Sequence, residues 1–386
     1  MKNKLTLFNY IQFVGILFLF YCFTGLISCK TEQKNYDTLT CNIKTENDNL
    51  NVKVRSVIKL ETSDSSLIGD ITKIIFYKNR FFILDRMISK SLFVFDINGK
   101  FIAKTRRGRG PGECVNPKDF MIDPVNLTIQ LWDQSNYNMM ELDSNLTHVR
   151  TKHFEPVGLM NAEYINRDTM LVFAHVQVSD KTKNNNNLIY FNYSLYTNGF
   201  NKAINRLLPT SKELIRVVLE SPICKTRRVI FVAPFDNNIY GIEKTKEKIL
   251  YQLDFGTFGV NQADIAKGVN YIFKSSRNGS KITSIDNLHE NDNYLAFSFF
   301  YKNRIGFFIH SKITNENYCS EKFFSKKILP ICTLKGIFCE DNFIAVSEPE
   351  EVKNFKFADT KFNTQIRNIK EQDNPFIILF SLKEQQ

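Results

Sequence analysis

The sequence predicts an all-β protein, a six-bladed β-propeller whose blades are four-stranded antiparallel sheets. Three observations lead to this prediction. Short apolar runs alternate with polar turns along most of the chain, and one such unit recurs at a fixed spacing. In addition, the 386 residues include 35 Phe and 15 Tyr, which favour strands.

The clearest unit lies near residue 90. Two apolar runs, Phe81–Leu84 and Leu92–Phe95, are bounded by polar residues, and a third run, Phe101–Ala103, follows Asn98-Gly99. Asn-Gly between two such runs indicates a tight hairpin turn, because that turn needs φ > 0 at both central residues. The unit is therefore predicted to be an antiparallel meander of short strands.

The same unit recurs 48 positions further along the chain. Phe82–Asp85 matches Gln130–Asp133, and the next strand, Leu92–Asp96, matches Met139–Asp143. Each copy contains an apolar strand, an Asp, a polar turn, a second apolar strand, another Asp and a turn with Asn. A repeat of this length built only from strands is typical of a propeller blade.

Four further units keep this rhythm in degraded form. From Phe81 to Phe343 the chain covers 262 residues in five intervals, about 52 residues per unit. The predicted strands are Met170–Phe173, Leu188–Tyr196, Val229–Ala233, Asn238–Ile242, Ile249–Phe255, Tyr294–Phe300, Arg304–His310, Lys322–Phe324, Phe343–Ser347 and Phe376–Leu382. Val260–Phe273 and Glu351–Phe357 suggest helices, which we expect to be insertions between strands.

A ring of blades has to be closed, because an open first or last blade would expose an edge strand. We expect the N-terminal strand Val54–Leu60 to complete the blade that contains Phe376–Leu382. Removal of about the last ten residues is then predicted to destabilise the whole ring.

The N-terminus reads as an export signal. Lys2 and Lys4 precede the apolar run Ile11–Phe23, as in a secretory signal. Leu26-Ile27-Ser28-Cys29 resembles a bacterial lipobox, which implies cleavage before Cys29 and acylation of its thiol. Buried acyl chains contribute about 0.8 kcal/mol per methylene, so two or more chains anchor a protein stably. An uncleaved transmembrane anchor is the alternative, since the run approaches spanning length.

Both alternatives place the globular part outside the cytoplasm, and the lipid anchor makes the protein an outer-membrane lipoprotein of the cell envelope, periplasmic or surface-exposed. We expect a signal peptide at residues 1–28, a flexible tether at 29–51 and the propeller at 52–386. The tether is predicted because this segment is polar and lacks periodicity.

The net charge and the cysteines bear on the possible partners and on disulfide formation. The net charge of +11 falls to about +9 without Lys2 and Lys4. The basic residues are scattered and no nucleic-acid-binding motif accompanies them, so we expect no nucleic-acid partner. Six cysteines follow Cys29, in a compartment that permits disulfides. Their pairing is open, with Cys332–Cys339 as one local pair and buried free thiols as the alternative.

The most distinctive local motif is the stretch from Arg107 to Glu113, RGRGPGE. Arg107, Arg109 and Glu113 are candidate binding residues at the mouth of a central channel, because Arg forks suit planar anions. The alternative is structural. The three glycines then form a tight crossover between blades, with Arg109 paired to Glu113.

Other polar patterns are weaker. Asp85, Asp96, Asp133 and Asp143 each follow a strand, where Asx turns are expected, although a cation site in the channel is an alternative. The histidines form no linear metal motif, and they could meet only in a channel lined by several blades. They are His148, His153, His175, His289 and His310. We find no motif for catalysis, for a metal or for a cofactor, so none of these is predicted.

Together, the lipobox, the tether, FFILDRMISKSLFVFDINGKF and GRGPGE resemble the six-bladed β-propeller lipoproteins of Bacteroidota, which are related in architecture to NHL-repeat propellers. The specific motifs cover about residues 71–154, and Asn374–Ile378 resembles the end of this family. The resemblance implies the propeller fold and an envelope location. It lends little about activity.

Two functions follow as hypotheses. The first is a non-enzymatic lipoprotein, held at the membrane by Cys29, whose propeller binds a glycan, a peptide or an envelope protein. The second is a propeller enzyme, a lyase or hydrolase that is metal-dependent or metal-free, with its site at the channel mouth. Propeller loops can assemble such a site without a linear motif. A purely structural part of an envelope assembly is a third possibility.

Overall fold

The structure, a computed structural model, describes residues 36–43, 52–123, 125–153, 158–179, 188–197, 203–321, 329–330, 333–338, 342–366 and 368–382. Two compact units divide the chain, Met1–Asp37 and Thr38–Gln386, and the second contains the ring described below. Cys29 lies outside the described residues.

The chain folds into six antiparallel blades, which confirms the predicted fold class. In blades 1 to 3 the strands follow in chain order from the innermost outward. The first three blades comprise β3 (Lys73–Tyr77), β4 (Arg80–Asp85), β5 (Ser91–Asp96) and β6 (Phe101–Lys104); β9 (Pro117–Ile122), β10 (Ile129–Asp133), β11 (Asn138–Leu142) and β12 (His148–His153); and β13 (Leu159–Tyr164), β14 (Thr169–Ser179), β15 (Leu188–Thr197) and β16 (Ala203–Thr210).

The other three blades are built the same way, except that β1 and β2 join from the N-terminus. They comprise β17 (Ile223–Lys225), β18 (Val229–Val232), β19 (Asn238–Glu243), β20 (Lys246–Asp254) and β1 (Asp37–Thr40); β21 (Thr283–Glu290), β22 (Tyr294–Tyr301), β23 (Arg304–Ser311) and β24 (Asn317–Ser320); and β25 (Thr333–Phe338), β26 (Asn342–Ser347), β27 (Phe376–Leu382) and β2 (Val52–Lys59). A parallel pair, β7 (Arg106–Arg107) and β8 (Glu113–Cys114), lies between blades 1 and 2.

Both faces of each blade are buried against its neighbours. Along β4, Phe81 and Ile83 pack with residues of blade 6, whereas Phe82 and Leu84 pack with residues of blade 2. Side chains of a strand alternate between its two faces. A strand buried on both faces therefore reads as a continuous apolar run, which is why FFIL stands out in the sequence.

The repeated aspartates hold loops. Asp85 is fully buried and accepts five backbone amides, among them Gly69 N at 2.8 Å and Ile88 N at 2.9 Å. Its counterpart Asp133 accepts Val115 N and Asn116 N, both at 3.0 Å. Each carboxylate thus fastens the loop that enters its own blade. Burial raises the pKa of Asp85, but these hydrogen bonds outweigh burial and lower it overall.

The second aspartate of each repeat closes the outer hairpin. Asp96 accepts Asn98 N and Lys100 N, and Asp143 accepts Asn145 N and Thr147 N, each at 2.8 Å. Gly99 has φ of 83°, but Asn98 does not have positive φ, so the predicted turn with φ > 0 at both residues is wrong although the hairpin itself is present. The Asx-turn interpretation of these four aspartates is confirmed.

The ring closes as predicted. β2 pairs with β27 from Val52–Leu382 to Lys59–Phe376, so the N-terminal strand becomes the outer strand of the blade that holds the C-terminus. Asn374 fastens the same junction, because its side chain bonds to the backbone of Glu61, Ser66 and Ile68.

Part of the segment predicted to be a flexible tether, residues 29–51, forms a β-strand instead, β1. β1 adds a fifth strand to blade 4 beside β20, with Leu39 buried. Cys41 N donates to Asp254 O at 2.8 Å, and Asn317 of blade 5 donates to Thr40 O at 3.1 Å. The edge of blade 4 offered unpaired backbone groups, and this short segment pairs with them.

The helices lie in insertions, as predicted. Gln262–Ala266 and Val269–Arg277 connect blade 4 to blade 5, and Pro349–Lys353 and Thr360–Gln365 separate β26 from β27. The last helix was not predicted. None of the helices in the described residues has the length and apolarity to span a membrane. The outer strand of blade 5 is Asn317–Ser320, not the predicted Lys322–Phe324, which lies outside the described residues.

Four of the cysteines are free thiols, namely Cys41, Cys114, Cys224 and Cys319. The suggested pair Cys332–Cys339 lies outside the described residues.

Candidate functional site

The innermost strands of all six blades enclose a central cavity of about 550 Å³. Its wall comes from β3, β9, β13, β17, β21 and β25. The lining mixes apolar side chains with charged ones, and the charged ones come from blades that are far apart in sequence. The candidate site is therefore the channel itself.

One side of the wall is held by an ion pair across three blades. Lys73 Nζ of blade 1 donates to Asp119 Oδ1 and to Phe120 O of blade 2, both at 2.8 Å. The other oxygen of Asp119 accepts Ala162 N of blade 3 at 2.8 Å. Lys73 and Asp119 therefore have partners and act as part of the scaffold of the channel.

Glu163 lines the cavity beside this pair. It lies on β13, and its Oε1 accepts Tyr164 N at 3.0 Å. Burial raises the pKa of the Glu163 carboxyl, and the positive charges of Lys73 and Lys225 only partly offset this effect. A carboxyl whose pKa is raised binds a proton more readily than an ordinary glutamate does.

Glu290, on the opposite side, belongs to a closed network. It accepts from Arg228 at 2.8 Å, from Lys312 at 2.7 Å and from Tyr251 Oη at 2.7 Å. Burial raises its pKa, but these partners outweigh burial and lower it overall. Glu290 is thus held as a charged carboxylate whose negative charge is already balanced by Arg228 and Lys312.

Between these groups the cavity wall holds polar atoms without partners. Tyr77 Oη and His289 Nε2 are buried and have no hydrogen-bond partner among the described residues. Lys225 and Lys335 also line the cavity, and neither forms an ion pair within the described parts of the chain. Unsatisfied buried polar atoms are costly, so they mark a place where a ligand can bind.

His289 is neutral at physiological pH. Burial and, to a lesser extent, the nearby positive charge of Lys335 together lower the pKa of its imidazole to about 3. The ring therefore offers the cavity a hydrogen bond rather than a charge.

The backbone of β21 decides where His289 points. Its pairing with β22 shifts register twice, on either side of Asp286, and Ser284 and Asn287 adopt φ of 54° and 48°. Such bulges turn a side chain away from the simple alternation of a strand. Asp286 fixes this geometry, because it accepts Glu220 N at 2.6 Å and Ser221 N at 2.7 Å from blade 4.

The sequence-predicted residues Arg107, Arg109 and Glu113 lie elsewhere. They form the crossover between blades 1 and 2, and the residues that line the channel cavity do not include them. Glu113 accepts Gly110 N at 2.9 Å, and Arg109 is exposed, with no ion pair to Glu113 in this described stretch. The proposed Arg109–Glu113 pair is therefore wrong, because the glycine turn brings its own amide to the carboxylate.

The histidines with described side chains do not form a cluster, and the side chain of His175 lies outside the described part of the structure. His148 and His153 lie on the outer strand of blade 2, and His310 bonds to Asn317 at 2.7 Å on blade 5. Among the four histidines whose side chains the structure describes, His289 is the one that lines the cavity. Among the described residues, no group of three or more His, Cys, Asp or Glu side chains is placed to hold a metal ion.

Sequence reasoning missed Lys73, Glu163, Lys225 and Lys335. The available signal was a charged residue within the short strand that precedes each conspicuous apolar run. Lys73 stands before IIFY and Lys335 follows Thr333-Leu334, both on innermost strands. That signal identifies an innermost strand, but it does not tell which charges face one another.

Comparisons with known proteins agree with this architecture. A crystal structure of a protein from Bacteroides fragilis NCTC 9343, described as exported, superposes with a TM-score of 0.75 at 17% identity, covering 90% of this chain and all of that one. A DUF4221 member from Bacteroides vulgatus ATCC 8482 superposes with a TM-score of 0.52 at 9% identity, covering 87% of this chain and 99% of that one. At these identities the likeness shows the fold alone.

No curated protein matches the chain. The model of a domain of unknown function, DUF4934, matches residues 34–381, which include β1 and all of the last strand of the ring except Leu382. The chain therefore belongs to the DUF4934 family.

Proposed function

We propose that this protein is an envelope lipoprotein, anchored at the outer membrane through Cys29, whose central channel is the binding site of a non-catalytic binding module. The ligand is a small anionic group, either an acidic glycan or the carboxylate end of a peptide, free or presented by an envelope protein. The observation that carries this proposal is a cavity with four polar groups that lack partners, Tyr77, Lys225, His289 and Lys335.

Size limits the ligand. Small-molecule sites are cavities of about 300–1,000 Å³, and the channel cavity of about 550 Å³ falls in this range. A folded partner cannot enter such a space, whereas a short sugar unit or a peptide end can.

Charge selects among small ligands. Glu290 and Asp119 are occupied by partners. Glu163 forms no ion pair among the described residues either, but burial raises its pKa and disfavours its charged form, so the available charges in the cavity are the ammonium groups of Lys225 and Lys335. Neutral His289 and the hydroxyl of Tyr77 add hydrogen bonds. This set suits a ligand with one carboxylate and several hydroxyl or amide groups.

The proposed location in the cell envelope rests on the signal-like N-terminus and on Cys29. The structurally similar protein from Bacteroides fragilis, which is described as exported, supports it. We expect the wild-type protein in the membrane fraction and Cys29→Ala in the soluble fraction. Membrane retention of Cys29→Ala would overturn the lipid anchor without affecting the proposal for the channel.

The channel is tested by a thermal-shift screen of acidic and neutral oligosaccharides and short peptides. A ligand at about 100 times its Kd adds about 2.7 kcal/mol to the free energy of unfolding, which is readily measured. The shift should disappear in Lys225→Met and Lys335→Met, which keep the aliphatic stem and lose the charge.

Arg107→Met and Arg109→Met are matched controls, since they remove the same charge from the exposed crossover. If these variants abolish the shift and the lysine variants retain it, the binding site is the crossover and the proposal for the channel is wrong.

One observation favours a second function, a lyase or hydrolase acting in the same channel, with or without a divalent metal. The raised pKa of Glu163 suits a general acid or base, and such groups cluster at active sites. If a ligand found in the screen is converted to product, Glu163→Gln should abolish conversion and leave binding within a few-fold. Unchanged ligand after long incubation favours the binding module.

A further inference from the structure

A second cluster of unpaired cations lies outside the channel, where blade 1 meets blade 2. Arg86 directly follows β4, and Lys118 is the second residue of β9. In each blade the second strand ends on the face where the innermost strand begins, because the two are antiparallel. Arg86 and Lys118 therefore lie on the same face of the ring. We name Arg86, Ser89, Lys90 and Lys118 the cationic cleft.

The loop that carries the cleft is rigidly held. Asp85 accepts Met87 N, Ile88 N and Ser89 N, along with two amides from residues 69 and 70. Both carboxylate oxygens are thus used by backbone amides. The one carboxylate adjacent to Arg86 in sequence is committed to the loop and forms no ion pair with that guanidinium among the described residues.

Arg86 is the central observation. Its side chain is 7% exposed, and its Nη1 atom is buried without a hydrogen-bond partner among the described residues. The buried hydroxyl of Ser89 likewise has no partner there. A buried guanidinium nitrogen without an acceptor costs free energy, so the fold alone does not account for an arginine at this position.

Two more cationic side chains, Lys90 and Lys118, accompany Arg86. None of Arg86, Lys90 and Lys118 forms an ion pair within the described parts of the chain. Burial lowers the pKa of Lys118, and the positive charges of Arg86 and Lys90 lower it further. Lys90 also has φ of 52°, a backbone conformation that glycine or asparagine adopts at lower cost. Three positive charges therefore lie close together although they repel one another, and one of them, Lys90, also has an unfavourable backbone conformation.

The internal repeat provides a control within the molecule. Asp133 holds its loop as Asp85 does, yet the residue after it is Gln134, where blade 1 has Arg86. The aspartate is thus part of the blade design, whereas the loop cations Arg86 and Lys90 are specific to blade 1 and meet Lys118 of blade 2. From these observations we propose that the cationic cleft is a binding site for a multiply charged oxyanion, a phosphate or sulfate ester.

The chemistry of the donors favours this class over a carboxylate. An arginine fork, two ammonium groups and a hydroxyl come from two different blades, so they suit the several oxygens of a tetrahedral anion. Three positive charges also balance a dianion better than a single carboxylate. Small rotamer changes on binding would bring the Arg86 fork to the ligand.

The test uses inorganic phosphate as the probe, with the purified full-length protein at constant ionic strength set with chloride. We expect saturable binding in a ³¹P NMR titration and a rise in the melting temperature with phosphate. Lys118→Met should weaken phosphate binding by about tenfold or more, because hydrogen bonds to charged groups are worth about 1.5–3 kcal/mol. Lys104→Met, at an exposed lysine on the outer strand of blade 1, should bind phosphate like the wild type.

The outcomes separate clearly. Phosphate binding that is absent in the wild type, or equal in Lys118→Met and the wild type, overturns the proposal. Lys90→Met gives a second test if Lys118→Met folds poorly. Binding to vesicles with phosphatidylglycerol that depends on Lys118 would identify a lipid headgroup as the source. Competition by a sugar phosphate or sugar sulfate without vesicle binding would identify a soluble ester. Neither result depends on the ligand of the channel.

Discussion

Asp85, the loop anchor between two blades, and the wall of the central channel differ in how completely their polar groups are hydrogen-bonded. Between blades 1 and 2, the buried carboxylate of Asp85 accepts five amides among side chains that are otherwise apolar. In the channel wall, Tyr77 Oη and His289 Nε2 have no partner among the described residues. Asp85 is therefore fully used inside the fold, whereas the channel wall, like Arg86 at the junction of blades 1 and 2, keeps polar atoms that a ligand can use.

The largest contrast is expected for aromatic packing. Phe82→Ala removes a fully buried ring between blades 1 and 2 and should lower the free energy of unfolding by about 3–5 kcal/mol. Tyr77→Phe, in the channel wall, removes a hydroxyl without a partner and should leave stability unchanged or slightly higher. Urea unfolding of both variants tests the comparison, and equal losses would contradict it.

Asp85 should rank next. Asp85→Ala leaves buried amides without an acceptor, and we expect a loss of about 2–4 kcal/mol. Asp96→Ala is the matched control, because Asp96 serves an exposed hairpin turn and its loss should cost about 1 kcal/mol. If the two substitutions cost the same in thermal or urea unfolding, burial of the loop anchor is not what stabilises blade 1.

The free-energy cost of burying His289 in the channel wall should appear as a dependence of stability on pH. The pKa of His289 is about 3 in the folded protein and about 6.5 when unfolded, so the unfolded state binds more protons between these values. Stability is then full above pH 6.5 and falls as pH drops toward 3, by at most about 1.4 kcal/mol per pH unit from this group. His289→Gln should flatten the curve in that window, measured by urea unfolding at several pH values. An unchanged slope would contradict a buried neutral histidine.

The smallest effect is expected at the crossover between blades 1 and 2. Arg109→Ala removes an exposed side chain without an ion pair in the described residues and should change stability by less than about 0.5 kcal/mol. Calorimetry of this variant checks it. A larger loss would mean that the Arg109 side chain, and not only the glycine turn, holds the two blades together.

Much of the ring was predictable because its signals are local. Phe82–Asp85 and Gln130–Asp133 indicate the second strand of a blade. A strand buried on both faces is apolar along its length, and an Asx turn begins with Asp or Asn. The pairing of β2 with β27 followed from the general need to close a ring. The short β1, by contrast, has no periodicity, and only the free edge of blade 4 orders it.

The sequence by itself therefore determined most of the strands and turns, the number of blades and the closure, but not β1 or the outer strand of blade 5. Only the tertiary structure decided which charges meet. Lys73, Glu163 and Lys335 come from blades 1, 3 and 6, and nothing in their local sequence marks them as neighbours in one cavity. The bulges of β21 then set the direction of His289. Strand formation depends on a few adjacent residues, whereas a channel depends on the register and position of six strands that are distant along the chain.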